Sequence, residues 1–358
     1  MSNRTLSPAN GMGAKTQNHY AKLGQVRNLS DVLQHFSGQR ILIIGDVILD
    51  RYWWGEASRL SPEAPVPVVR KQRCTVRPGG AANTAANLAA LKAVPMLVGL
   101  VGIDAEAAEL QGALLKCHVA VGSLIAEAGR PTTTKTRVIA SHQQIVRVDD
   151  EDTAPLSPAS EQLALEAITQ QLPAVNAVVV SDYSKGFLTP TLLQAVIAAA
   201  RDAGKPVLVD PKGTDFSRYQ GATLMKPNRL ELSILTGLPA RTHEETLVAG
   251  NLLADLMPGV QILVTEGADG MTLFSGSGQV ERVASAPRQV YDVTGAGDTV
   301  LATLSLAISA GASNREAMEL AAEAAAIAIS TMGTAAVTLA QLEASLNDPL
   351  QSVTGAIR

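Results

Sequence analysis

Cysteine is almost missing from this 358-residue chain. Only Cys74 and Cys117 occur, and no Cys/His group has metal-ligand spacing, which argues against a disulfide framework and a structural zinc site. A reducing, cytoplasmic setting fits that usage. No apolar run approaches the roughly 20 residues of a membrane span, and residues 1–30 are polar, without a signal-peptide core. An excess of positive charge is missing too: the formal net charge of −4 gives no global field of the kind that binds nucleic acid or anionic membranes. Any basic site must be local. The five histidines, His19, His35, His118, His142 and His243, are scattered without evident partners, and none is assigned a catalytic role. The chain also lacks a Gly-x-x-x-x-Gly-Lys-Ser/Thr loop and a Gly-x-Gly-x-x-Gly turn after the first apolar run, which removes the two commonest nucleotide-binding explanations.

What is present begins with 46% hydrophobic residues, ample for one large core or two smaller ones. Residues 41 to 49 (Ile-Leu-Ile-Ile-Gly-Asp-Val-Ile-Leu) read as a buried strand ending at Gly45-Asp46, and similar runs recur at Ala177 to Ser181, Val207 to Asp210 and Ile262 to Thr265. Helical stretches such as Thr191 to Ala203 and Glu244 to Leu256 alternate with them. That rhythm predicts an α/β fold, a mostly parallel sheet covered by helices on both faces. Asp46, Asp182 and Asp210 then lie at strand C-terminal ends, where such sheets bind ligands.

Two segments break the rhythm. Arg51 to Arg73 has proline-marked β character, and Thr133 to Asp149 reads as a hairpin around Ser141-His142-Gln143. Together they predict a small projecting β-sheet, a lid that covers a ligand, pairs with a second copy in a homodimer, or does both. Aromatic residues make up only 3% of the chain, yet Tyr52, Trp53 and Trp54 are adjacent within that sheet. The organisation expected is a mobile tail over 1–30, one domain over 31–345 with the lid from about 51–73 and 133–149, and a tail over 346–358.

Chemistry concentrates in Asp292-Val293-Thr294-Gly295-Ala296-Gly297-Asp298. Gly295, Ala296 and Gly297 can present backbone N–H groups at a helix start, where the dipole favours an anion, and Asp298 is set among them as a proton acceptor. Donors beside a carboxylate suit phosphoryl transfer. The plainer reading is a glycine-bearing helix start with Asp298 as its cap. Arg77-Pro78-Gly79-Gly80-Ala81-Ala82-Asn83 leads into the helical run Ala85 to Leu91, and its paired glycines with Asn83 suit a polyol. In Lys226-Pro227-Asn228-Arg229-Leu230-Glu231, Asn228 and Glu231 have capping-box spacing; beside a nucleotide, Glu231 could instead orient hydrated Mg²⁺. Of the basic residues Arg51, Arg59, Arg137, Arg147 and Lys185, the last follows a strand end.

These residues resemble the ribokinase-like carbohydrate kinases. Asp292 to Asp298 is similar to that family's C-terminal signature and Gly79-Gly80-Ala81-Ala82-Asn83 to its N-terminal one. Ile41 to Asp50, Arg59 to Val69, and Asp210-Pro211-Lys212-Gly213-Thr214-Asp215-Phe216 resemble the kinase half of bacterial heptose-phosphate enzymes, and the likeness runs from about residue 30 to 345. The resemblance implies ATP-dependent phosphorylation of the anomeric hydroxyl of D-glycero-β-D-manno-heptose 7-phosphate, giving the 1,7-bisphosphate for ADP-heptose and lipopolysaccharide inner-core synthesis. Some relatives fuse such a kinase to a nucleotidyltransferase; the chain ends at Arg358, so a separate adenylyltransferase is expected to complete the pathway.

Carried over by position, Asp298 is the implied base, and Gly295 to Gly297 with the Asp298 N–H the implied anion hole. Asp46, Gly79, Gly80 and Asn83 are implied to bind sugar. Asn228, Arg229, Leu230 and Glu231 border ATP and its Mg²⁺, and Thr265, Gly267 and Gly270 fall where relatives cradle the nucleotide. A monovalent cation near the C-terminal signature stays open. A substrate phosphate needs local Arg or Lys; Arg137 and Lys185 are the candidates, with Arg51 third. The alternatives are another sugar, sugar-phosphate or nucleoside kinase of this fold, or a non-catalytic sensor on the same scaffold.

Overall fold

The computed structural model describes residues 28–141, 143–276, 278–285, 293–330 and 336–347. The expected tails fall mostly outside the described residues, as do His142 and Asp292; Leu29–Leu33 already form a helix, capped by the Asn28 side chain. In chain order the strands are β1 (Arg40–Gly45), β2 (Val47–Leu60), β3 (Pro67–Gly80), β4 (Val94–Val101), β5 (Leu124–Ala126), β6 (Thr134–Ala140) and β7 (Gln143–Asp150). They continue as β8 (Ala177–Ser181), β9 (Val207–Asp210), β10 (Leu224–Met225), β11 (Gln261–Thr265), β12 (Met271–Ser275) and β13 (Gln279–Val283).

Nine of these strands form one sheet in the order β13-β12-β11-β10-β9-β8-β1-β4-β5. It is parallel from β5 to β11, and β12 and β13 are antiparallel additions at one edge. Strand β1 shows why its sequence reads as an unbroken apolar run. Ile41 and Ile43 enter one hydrophobic core while Leu42 and Ile44 enter the other, so both faces of the sheet are covered. Helices Ala81–Ala90, Ala105–Lys116, Ala296–Ser309 and Asn314–Ile329 supply the first core, and Pro158–Gln171, Pro190–Asp202 and His243–Leu256 the second.

Helix boundaries follow local signals. The expected start at Thr191 moves to Pro190, because Thr189 accepts a hydrogen bond from the Leu192 N–H and Pro190 takes the first helical position. The next start moves from Glu244 to His243, behind a capping box of Thr242 and Glu245. The first strand ends at Gly45, in line with the expected end at Gly45-Asp46, and after Asp46 the chain passes into a second, four-stranded sheet of order β3-β2-β6-β7.

This second sheet holds the segments that broke the α/β rhythm. β2 and β3 pair antiparallel from Val47↔Gly80 outward to Leu60↔Pro67, β6 joins β2 in parallel, and β7 returns antiparallel along β6. The hairpin therefore starts four residues before Arg51 and ends seven after Arg73, rooted at the C-terminal end of β1 in the main sheet. At that root Gly80 has φ +58°, and an added Cβ would lie 2.4 Å from the Asp46 backbone oxygen. Helix Ala81–Ala90 starts directly after it, earlier than the run from Ala85 suggested, which places Asn83 in the first turn. Gly80→Ala is expected to cost about 1–3 kcal/mol of stability, from the strained φ and the contact together; a denaturant titration against the parent chain checks this.

Candidate active site

The parallel strands aim their C-terminal ends at one region. Asp46 follows β1, Asp182 follows β8, Asp210 ends β9, Lys226 follows β10 and Thr265 ends β11. A cavity of about 300 Å³ opens there, and its lining includes Tyr183, Asp210, Lys226, Glu231, Thr265 and Gly297. Such an edge is where open α/β sheets bind ligands.

Helix Ala296–Ser309 points its N-terminus at this region. Gly295 caps it in the left-handed conformation, φ +81°, and Asp298 falls in its first turn with 4% of its surface exposed. First-turn N–H groups have no acceptor within their own helix, so Gly297 and Asp298 present donors. Ala296 departs from the expected anion hole: its N–H is directed to the Val293 oxygen at 3.3 Å.

Three side chains hold the Asp298 carboxylate. Asn83 Nδ2 donates to Oδ2 at 2.6 Å, while the Tyr183 hydroxyl and Thr84 Oγ1 donate to Oδ1 at 2.9 and 3.3 Å. Behind them, Asn87 donates to the Asn83 backbone oxygen at 2.9 Å and accepts from the Thr299 hydroxyl at 3.0 Å, tying the two helices together. Burial raises the Asp298 pKa to about 6; Asp210 pushes the same way, and the bonds from Asn83 and Tyr183 and the charge of Lys226 oppose the rise. That value suits a group that takes a proton near neutral pH.

The implied sugar residues adjoin this carboxylate with their polar atoms already engaged. Asp46 accepts backbone N–H bonds from Tyr183 at 2.8 Å, Lys185 at 3.1 Å and Phe187 at 3.2 Å, so it shapes the loop that carries Tyr183. Gly79 lets the Asp50 carboxylate approach, since an added Cβ would lie 2.5 Å from its Oδ2. Asn83 is turned to Asp298.

Asn228 and Glu231 form the capping box at the start of helix Arg229–Thr236, and both line the cavity. Lys212 Nζ lies 3.0 Å from Glu231 Oε1. Gly267 and Gly270 bracket a short 3₁₀ turn after Thr265, with φ of +64° and +97°. Leu230 is exposed and Arg229 is turned toward Glu266 and Asp269; like Gly267 and Gly270, neither is among the lining residues. Among the described residues no group of three or more His, Cys, Asp or Glu could hold a metal. The oxygen donors Asp210 and Glu231 in the lining still fit a hydrated Mg²⁺ that arrives with phosphates, a mode needing only one or two carboxylates.

The basic candidates separate. Arg137 Nη1 reaches Asp50 Oδ1 at 2.6 Å, and Lys185 Nζ reaches Glu151 Oε1 at 2.6 Å, while Lys135 Nζ meets the other oxygen, Oε2, at 3.2 Å. Arg51 lies on the opposite side of β2 from Asp50, because neighbouring strand residues face opposite ways. Its guanidinium bonds Glu106 and Glu109 of helix Ala105–Lys116 at 3.1 and 3.0 Å, so it is set aside as a phosphate ligand.

Sequence reading missed Tyr183, Thr84, Lys212 and Lys226 and gave Asp210 only a place. Lys226 is 2% exposed, pairs with Asp210 Oδ1 at 3.0 Å, and lies 3.6 Å from where a Cβ on Gly297 would be. The signal available was position: Asp210 closes one apolar run and Lys226 follows another.

Comparison with known proteins fixes the class. Residues 39–341 match the pfkB family carbohydrate kinases, and the chain belongs to that family. It is 45% identical to the bifunctional protein HldE of Gluconobacter oxydans over 316 residues, 88% of this chain and 66% of that one. With HldE of Hyphomonas neptunium it shares 42% over 319 residues, 89% of this chain and 66% of the relative, so it spans just under two-thirds of their length. The fold is that of Arabidopsis thaliana ribokinase, solved with ribose and ATP, at TM-score 0.70 and 24% identity over 87% of this chain and 99% of that one. Escherichia coli phosphofructokinase-2, in a tetrameric inhibited form, matches at TM-score 0.71 and 19% identity over 86% and 98%. Among the described residues no helix is long and apolar enough to cross a membrane.

A carboxylate accepts a proton only when ionised, and Asp298 titrates at about 6. Sugar phosphorylation, measured as kcat/KM, is therefore expected to fall about tenfold per pH unit below that value and to level off above it. A flat profile down to pH of about 4.5 would show that another group takes the proton.

Proposed function

We propose that this chain transfers the γ-phosphoryl group of ATP to the C1 hydroxyl of D-glycero-β-D-manno-heptose 7-phosphate, giving the 1,7-bisphosphate and ADP for ADP-heptose and lipopolysaccharide inner-core synthesis. The observation that carries this reading is Asp298: a buried carboxylate, titrating at about 6, in the first turn of a helix with Lys226 and Gly297 beside it. In the proposed step Asp298 takes the hydroxyl proton and the C1 oxygen bonds to the γ-phosphorus. The bond from that phosphorus to the β–γ bridging oxygen breaks, and ADP leaves with the electron pair. The N–H groups of Gly297 and Asp298, with the Lys226 ammonium, balance charge on the transferred group. Mg²⁺, held through water by Glu231 with Asp210 nearby, would neutralise the phosphate oxygens.

The choice of a sugar phosphate rests on the likeness of Ile41 to Asp50, Arg59 to Val69 and Asp210 to Phe216 to heptose-phosphate enzymes, and on cations set near Asp46 and Asp50. Arg137 and Lys185 are the proposed phosphate ligands. The second sheet is the proposed lid and homodimer contact; every residue of β7 is exposed, and the apolar side chains of Val146 and Val148 are among them.

The test is ADP release from ATP and Mg²⁺ with β-heptose 7-phosphate, its α-anomer, fructose 6-phosphate and ribose supplied separately. Selective turnover of the β-heptose phosphate is expected; turnover of another compound would discard the substrate and keep the kinase, and binding without turnover would favour a sensor. Asp298→Asn is expected to lose at least about a hundredfold in kcat. Lys185→Ala should raise KM for the sugar phosphate more than KM for ATP, and equal rises would remove Lys185 from the phosphate site.

A further inference from the structure

Glu266 carries a charged group into the interior. Its side chain has 0% exposure, and a carboxylate there is costly unless cations and donors meet it. Arg229 Nη2 meets Glu266 Oε2 at 2.7 Å, His243 Nδ1 lies 3.1 Å from the same oxygen, and Thr272 Oγ1 donates to Oε1. The other arm of the same guanidinium, Nη1, donates to Asp269 Oδ2 at 2.7 Å, and Nε reaches Thr246 Oγ1 at 3.4 Å. One side chain thus joins three segments: the start of helix Arg229–Thr236, the first turn of helix His243–Leu256, and both ends of the Gly267–Asp269 turn.

The turn closes on itself, with the Glu266 N–H donating to the Gly270 oxygen at 2.8 Å and the Gly270 N–H to the Gly267 oxygen at 3.2 Å. Its placement against the two helices is what the Arg229 contacts fix. Arg229 is two residues from Glu231, which lines the cavity, so the guanidinium sets the distance between the phosphate-side carboxylate and the turn. A planar fork serves this better than an ammonium, because it fixes two carboxylates in one plane.

We propose that Arg229 and Glu266 are positioning residues that hold the Gly267–Gly270 turn in the shape a nucleotide requires, without touching the nucleotide. This rests on the reading above that the turn borders ATP. It replaces the direct cofactor contact first expected of Arg229 with action through the turn.

The experiment uses the full chain, with ADP and Mg²⁺ binding followed by calorimetry and KM measured for each substrate. Arg229→Met is expected to weaken ADP binding and raise KM for ATP by about tenfold, since small misplacements of a binding element have effects of that size or larger. Values of kcat and KM for the sugar substrate should stay within about twofold, because the turn lies away from Asp298. The double variant Arg229→Met with Glu266→Leu removes both charges and should recover the unfolding temperature of the parent chain while still binding ADP weakly.

Recovery of full ADP affinity in the double variant would overturn the proposal, since the pair would then serve only to neutralise buried charge. Parent-like ADP affinity in Arg229→Met would overturn it as well, and if that variant fails to fold the double variant decides alone. Absence of ADP binding by the unsubstituted chain is a different result, which removes the nucleotide reading itself.

Discussion

The Asp298 carboxylate accepts hydrogen bonds from Asn83, Thr84 and Tyr183, and those donors come from two segments far from it in sequence. Asn83 and Thr84 ride on helix Ala81–Ala90, which packs against helix Ala296–Ser309. Tyr183 sits on the loop after β8, and that loop is pinned by three backbone N–H bonds to Asp46. The carboxylate can be both buried and oriented only if all three segments keep their places. Close packing of both helices against the same face of the sheet supplies that constancy. The glycines at 79 and 80 matter for the same reason: they let the hairpin root close down on Asp46 and Asp50 and start the helix where Asn83 meets its partner.

Charge follows a second constraint. Glu231 raises the Asp210 pKa and Asp210 raises that of Asp298, each after the larger effect of burial. Left alone, such a cluster would take up protons. Lys226, paired with Asp210 at 3.0 Å, and Lys212, paired with Glu231 at 3.0 Å, both oppose the rise at Asp210. On the proposed reading, each lysine would turn to a phosphate oxygen while its carboxylate turns to the water of a metal ion. A nucleotide would then exchange partners within a site that already has its charges in place, and little reorganisation is required at the moment of reaction.

Much of the fold was legible because burial on both faces leaves a distinctive trace. Ala177–Ser181 and Val207–Asp210 stand in the sequence as unbroken apolar runs, and the structure keeps those bounds. Boundaries moved where a cap outweighed periodicity, as at Thr189 and Thr242. The residues missed share one property: their roles are set by what lies across a sheet or between helices. Nothing near Tyr183 in the chain announces Asp298, which is 115 residues away. Arg51 illustrates the converse. It neighbours Asp50 in sequence, yet strand alternation sends the two side chains to opposite faces, and the helix Ala105–Lys116 claims the arginine.

The same alternation gives the second sheet two characters. Asp50, Tyr52, Trp54, Lys135 and Arg137 fall on one side, with Arg137 over the Tyr52 ring at 5.3 Å, Tyr52 stacked on Trp54 at 6.0 Å, and Arg73 over Trp54 at 5.0 Å. The proposed phosphate ligands are bound to carboxylates, Arg137 to Asp50 and Lys185 to Glu151. This bears on selectivity. A neutral sugar offers nothing that outcompetes a carboxylate for a guanidinium or an ammonium, so these pairs would stay closed around it. A phosphate near two negative charges, with three oxygens to place, can draw both cations at once and leave Asp50 and Glu151 to accept hydroxyl protons of the sugar. On the proposed reading, discrimination then comes from the cost of opening two internal ion pairs, a cost that only a dianion offsets.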